Sequence, residues 1–151
     1  MRLTAYTDFA LRTLMYLAVR PERAATIAEI AATYAISEAH LTKIVHQLGV
    51  TGEVATTRGR GGGLRLGKPA ASISLGAVVR RTEPDLDLVT CFGGSGRCTI
   101  DEACVLSRAL REALDAFLAV LDRYSLADLV TPSHRLAALL HLDPPAREYA
   151  R

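Results

Sequence analysis

Tryptophan is absent from these 151 residues, and the other aromatics amount to five tyrosines and three phenylalanines. A β-sandwich core draws on aromatic and β-branched side chains, so this scarcity argues against one and favours Ala/Leu-rich helices. No run reaches the roughly 18 uninterrupted apolar residues that a membrane span needs. Near the N-terminus Asp8 and Arg12 break the apolar stretch and no small-residue cleavage site follows, so no signal peptide is expected. The expected location is therefore the cytoplasm, with no membrane partner. Cysteine is scarce too: three residues, an odd number, in a compartment where thiols stay reduced. A structural disulfide framework is not expected there, and metal or redox chemistry becomes the leading use for them. No nucleophile–base arrangement and no cofactor fingerprint is present, so no enzyme is expected.

What is there divides by charge. Residues 1–82 carry 11 Lys/Arg against 5 Asp/Glu, whereas residues 83–151 carry 7 against 11. A basic front half and an acidic back half suit a nucleic-acid-binding head on a body of another kind. In the head, Tyr6, Phe9, Ala10, Leu14 and Leu17 recur at helical spacing, and Pro21 ends that helix. Thr26 and Glu29 form a capping box that starts a short helix to about Tyr34. Ser37 caps the next helix, whose buried stripe is Leu41, Ile44, Val45 and Leu48 and whose stop is Gly49. Two helices and a tight turn within about 25 residues make a helix-turn-helix. Val54–Arg58 and Leu64–Leu66 then alternate like two strands around the glycine-rich tip Gly59-Arg60-Gly61-Gly62-Gly63, a β-hairpin wing. The glycines meet neither the dinucleotide fingerprint nor the Walker pattern, and they lead into a strand rather than a helix.

The expected fold is thus mainly α with a small β-hairpin wing: a winged helix-turn-helix domain over residues 1–82, a cysteine-rich loop over 83–104, a long dimerisation helix and a short following helix over 102–131, and a loosely ordered tail over 132–151. Ser74–Thr82 is one more helix of the head. Leu106, Leu110, Ala113, Leu114, Phe117 and Leu121 form an apolar stripe that a head this small can hardly cover, which favours a homodimer. The residues placed to meet double-stranded operator DNA lie at the start of the second helix of the motif: Ser37, Glu38, His40, Thr42 and Lys43. Ala39 lies among them. His40 and Lys43 can donate to base or phosphate acceptors, Thr42 can meet a thymine methyl, and Glu38 can accept from a cytosine amino group. Arg58 and Arg60 in the wing suit a narrow minor groove; Arg65 and Lys68 suit phosphates.

The cysteines fall within 14 residues as Cys-x6-Cys-x5-Cys: Cys91, Cys98 and Cys104, with glycines between the first two. Thiolates are soft ligands for iron–sulfur clusters, zinc or copper(I). The spacing is not that of a zinc ribbon, and no histidine lies close by; His134 and His141 are some thirty residues or more beyond Cys104. An iron–sulfur cluster with one ligand supplied from elsewhere is the leading reading, with zinc binding or metal-free thiol oxidation as the alternatives.

Together, the N-terminal segment MRLTAYTDFALRTLMYLA, the wing segment RGRGGGLRL and the three-cysteine loop resemble the winged-helix iron–sulfur transcription regulators, over roughly residues 1–130. The resemblance is nearest to the branch of that family that senses nitric oxide. It implies a homodimer on a partly palindromic operator and a 4Fe–4S cluster held by Cys91, Cys98 and Cys104 of one chain and Asp8 of its partner. Arg12 matches a residue near the cluster that supports Asp8. The branch that regulates cluster biogenesis uses a histidine three residues after its last cysteine, where this chain has Ser107. The implied output is repression with the cluster intact and derepression by nitric oxide. The gap between Cys91 and Cys98 is slightly longer than the family pattern.

Overall fold

The computed structural model describes residues 2–92, 100 and 103–142. Helix α1 spans Ala5–Val19, with the Thr4 hydroxyl accepting the Thr7 N–H at 3.3 Å. Ala10, Leu14 and Leu17 face inward, the stripe expected from their spacing. Helix α2, Ile27–Tyr34, begins with the expected capping box: the Thr26 N–H donates to Glu29 at 2.7 Å, and the Glu29 N–H donates to the Thr26 hydroxyl at 3.1 Å. The turn that follows holds no glycine. Ala35 takes left-handed backbone at φ 54°, and the N–H of the buried Ile36 returns to the Ala31 carbonyl at 2.9 Å.

Helix α3, Glu38–Val50, starts at the Ser37 cap and buries Leu41, Ile44, Val45 and Leu48. Its end differs from the expected stop at Gly49, which lies inside the helix. The chain reverses instead at Gly52, φ 77°, with the Thr51 N–H bonded to the Gln47 carbonyl at 3.1 Å. Strands β1, Val54–Thr57, and β2, Gly63–Leu66, pair antiparallel with Val54 opposite Leu66 and Thr57 opposite Gly63. Leu64 also exchanges both backbone hydrogen bonds with Ala25, at 3.0 and 2.7 Å, tying the wing to the segment before α2. A Cβ on Gly63 would lie 2.7 Å from the Ala25 carbonyl oxygen, so this crossing needs glycine.

Helix α4, Leu75–Thr82, closes the head, and one apolar core joins α1, α2, α3, the wing and α4 through Leu14, Ile30, Leu41, Ile44, Leu64 and Val78. Burying each such side chain is worth about 1.5–3 kcal/mol against leaving it in water. The long helix α5 covers Val105–Asp122, within the expected 102–131, with Cys104 at its N-cap. Of its side chains Leu118 is buried, and that residue was not part of the expected stripe; Leu106 is 65% exposed and the rest of the stripe is half-buried or exposed. A short helix α6, Leu126–Leu129, then returns Leu126 to the head core. The expectation of a loose tail from residue 132 gives way, over the part described, to helix α7, Ser133–Leu139. Ala137 packs there with Val19 and Val130, so α7 covers the end of α1. Residues 143–151 lie outside the described part.

Candidate DNA interface and metal-ligand loop

The start of α3 presents Ser37, Glu38, Thr42 and Lys43 on an exposed face. Ser37 uses its hydroxyl as the cap, accepting the His40 N–H at 3.3 Å, and Thr42 donates back to the Glu38 carbonyl at 2.8 Å. Both hydroxyls retain bonding capacity toward a ligand. His40 is different, being half-buried against α1. Its ring meets Phe9 edge-on at 5.5 Å between centroids and Tyr6 at 6.3 Å. The Tyr6 phenol is pushed up from its ordinary value by burial.

At the wing tip Arg58 and Arg60 are exposed, and Gly59 and Gly61 take φ 96° and 78° to turn the hairpin between them. Arg65 is placed otherwise: half-buried, it donates to the Pro21 carbonyl at 3.0 Å and clips the wing to the end of α1. Lys68 donates to the Thr51 carbonyl at 2.9 Å and lies 3.6 Å from Glu53. Glu53, only 2% exposed, is the hub of this corner, bonded also to Arg81 of α4 and the Thr51 hydroxyl. The wing base is thus set by an ionic cluster that joins the end of α3, the start of β1 and α4, and Lys68 and Arg81 lie too far from Glu53 in sequence to be paired with it by spacing.

Asp8 is half-exposed on α1, with its carboxylate facing Arg12, whose Nε lies 3.0 and 2.9 Å from the two oxygens. Arg12 also stacks over the Tyr34 ring at 5.8 Å. Burial pushes the Tyr34 hydroxyl up to about 12, with Arg12 opposing weakly. The N-terminus of α1 is fixed from α4: Glu83 accepts from the Thr4 N–H at 2.9 Å and from its hydroxyl at 3.1 Å.

Cys91 and Cys104 are both free and half-buried. Cys104 caps α5, its sulfur accepting the Ser107 N–H at 3.3 Å. A helix N-terminus favours negative charge, which is the charge a metal-bound thiolate carries. Beside Cys91, Phe92 lies under the Arg111 guanidinium of α5 at 4.3 Å, so both described ends of the loop rest on the same helix. Cys98 lies outside the described residues. Among the described residues no three His, Cys, Asp or Glu side chains gather as a metal site. The donor set, soft sulfurs at the ends of a glycine-rich loop with one at a helix N-terminus, fits an iron–sulfur group better than a hard cation.

A helix-turn-helix followed by an arginine-tipped hairpin is a winged helix, and this head defines a DNA-binding protein. Residues 3–132 match the Rrf2 family, described as an iron-dependent transcriptional regulator. The chain belongs to that family; it is a transcriptional regulator and not an enzyme. It is 51% identical over 142 residues to the HTH-type transcriptional regulator NsrR of Geobacillus kaustophilus, covering 93% of this chain and 97% of that one. To NsrR of Bacillus subtilis it is 48% identical over 144 residues, 94% and 99% of the two chains. The solved structure of CymR, the global cysteine regulator of B. subtilis, matches at a TM-score of 0.71 and 26% identity over 87% of this chain and 98% of that one. No helix among the described residues is long and apolar enough to cross a membrane.

Proposed function

We propose that the protein is a homodimeric repressor that senses nitric oxide through an iron–sulfur cluster. The observation that carries this reading is the pair of free cysteines at the ends of a glycine-rich loop, Cys104 capping α5 and Cys91 next to Phe92, which packs under Arg111 of α5. Cys91, Cys98 and Cys104 of one chain and Asp8 of the other would hold a 4Fe–4S cluster. When bound, the cluster would supply iron able to react with nitric oxide, and Asp8 would be the more labile of its ligands, since a carboxylate is a harder ligand than a thiolate.

The chain's own residues turn that event into a change at DNA. Asp8 is half-exposed, and leaving Arg12 costs it a single surface ion pair, worth about 0–1 kcal/mol. Ligation from the partner would hold α1 at Asp8; release would return Asp8 to Arg12 and let α1 shift against its anchors at Glu83 and in the core. The helix packs directly on α3, so its freedom changes the spacing of the two recognition helices. Operator half-sites require fixed spacing, and a small shift is enough to lose binding. Ser37, Glu38, Thr42, Lys43, Arg58 and Arg60 are the residues we place against operator DNA.

Iron, sulfide and the visible spectrum of protein purified without oxygen test this reading. The expected result is matched iron and sulfide and a spectrum altered by nitric oxide, with Cys98→Ala losing the cluster and Asp8→Ala loading it less stably. Colourless protein after anaerobic reconstitution, with zinc or no metal, overturns the cluster and leaves a zinc- or thiol-sensing regulator on the same fold.

A further inference from the structure

The half-buried ring at the start of the recognition helix has a task other than reading bases. Four observations converge on it. His40 stands in the first turn of α3, after the exposed Glu38 and Ala39 and before the buried Leu41, and its half-buried ring turns toward α1. Phe9 and Tyr6, three residues apart on one face of α1, meet it at 5.5 and 6.3 Å. Asp8 lies between those two aromatics in the sequence, so a displacement of α1 at Asp8 moves both rings. The His40 backbone, meanwhile, is fixed by the Ser37 cap at 3.3 Å. The Phe9 contact is edge-on and the Tyr6 ring is tilted at 41° to the imidazole, and packed ring contacts of this kind transmit a shift rather than absorb it.

We infer that His40 is a positioning residue that couples α1 to the base-reading turn of α3, and that base choice belongs to its neighbours Thr42 and Lys43. The coupling part rests on the proposed role of Asp8; the division of labour within α3 does not. Two consequences separate the roles. A side chain that reads a base changes which base is preferred, whereas one that sets the pose of the helix weakens all sequences together. A ring that acts by packing is replaceable by another ring, and a hydrogen-bonding reader is not.

The test is enrichment of random duplex DNA by the full-length protein in its DNA-binding form, with the selected motif sequenced. His40→Phe is expected to select the wild-type motif with affinity within about threefold. His40→Ala is expected to select the same motif with affinity lower by about tenfold, the size of a single lost contact. Lys43→Ala, by contrast, is expected to alter or relax at least one position. A changed motif in His40→Phe overturns the inference, and so does an unweakened His40→Ala. Circular dichroism of both variants reports whether the head is folded, and the Phe variant keeps the question answerable if the Ala variant is not.

For the coupling itself, the enriched duplex is titrated with protein before and after iron and sulfide loading. The ratio of the two affinities is expected to persist in His40→Phe and to shrink toward one in His40→Ala. An undiminished ratio in His40→Ala overturns the coupling while leaving the motif result intact. A wild-type protein that takes up no iron defeats the proposed cluster instead, and the motif comparison still decides whether His40 reads bases.

Discussion

Ala35 occupies the turn between the two helices of the DNA-binding motif in left-handed backbone, a region that costs a residue with a Cβ about 1–2 kcal/mol. Glycine would relieve that strain but would also enlarge the freedom of the unfolded chain, which takes back about 0.4–1 kcal/mol. Ala35→Gly is therefore expected to stabilise the protein by about 0.5 kcal/mol. Ala35 is exposed, so no packing is lost. Chemical denaturation at unchanged m-value measures it, and a destabilised variant would show that the turn is not strained. A different constraint acts at Gly76 on α4, where a Cβ would collide with the Asp122 carboxylate. That glycine leaves room for the two-pronged pair of Arg80 with Asp122, at 2.6 and 2.7 Å.

At the level of the elements, hydrogen-bonded carboxylates secure several joints. Glu29 is held below its ordinary value mainly by the Thr26 N–H, with help from the Thr26 hydroxyl and Arg23. Asp122 is lowered by the hydrogen bonds from Arg80, and Asp128 by those from the Ser125 hydroxyl and N–H. A carboxylate lowered in the folded state contributes stability above its unfolded value, and that contribution is lost as pH falls through the folded one. The ordinary values are 4.5 for Glu29 and 3.8 for the two aspartates. Stability from these groups should thus be level at neutral pH and decline as the pH drops below 4.5 and then below 3.8. Glu29→Gln keeps a capping-box side chain without the charge. Its deficit against the wild type, read from thermal melts, should shrink between pH 7 and pH 3; a deficit independent of pH would mean the charge contributes nothing.

Among the described residues the head closes over its core while one face of α5 stays open. Only Leu118 of α5 is buried, while Leu110, Ala113, Leu114 and Phe117 line an open groove with Leu3, Leu86 and Leu88. An apolar stripe of this extent fits the face of a symmetric dimer, in which each α5 covers the other. Phe117→Glu should therefore give a folded monomer, since the head core does not depend on this side chain, and its operator affinity should fall by at least tenfold. Sedimentation together with a DNA-binding titration checks both parts. A dimeric Phe117→Glu protein with unchanged binding would place the interface elsewhere.

Local order in this chain was legible in the sequence wherever one residue acts on its near neighbours. The caps at Thr26 and Ser37, the buried stripe of α3, the hairpin and the clustering of cysteines are written in short spacings, because hydrogen-bonding reach and helical period fix them. The three candidate cysteine ligands came from spacing and thiolate chemistry, whereas Asp8 as the fourth came from resemblance. Tertiary packing alone decided three other matters. It turned His40 from the DNA face toward Phe9 and Tyr6. It committed Arg65 to the Pro21 carbonyl and gathered Thr51, Glu53, Lys68 and Arg81 into one cluster. It also ordered residues 133–139 against α1, where the prolines of the tail had suggested a loose end. The reason is common to all three: a side chain's direction and its distant partners depend on how whole helices stack, and that information is spread over the core rather than carried by any one spacing.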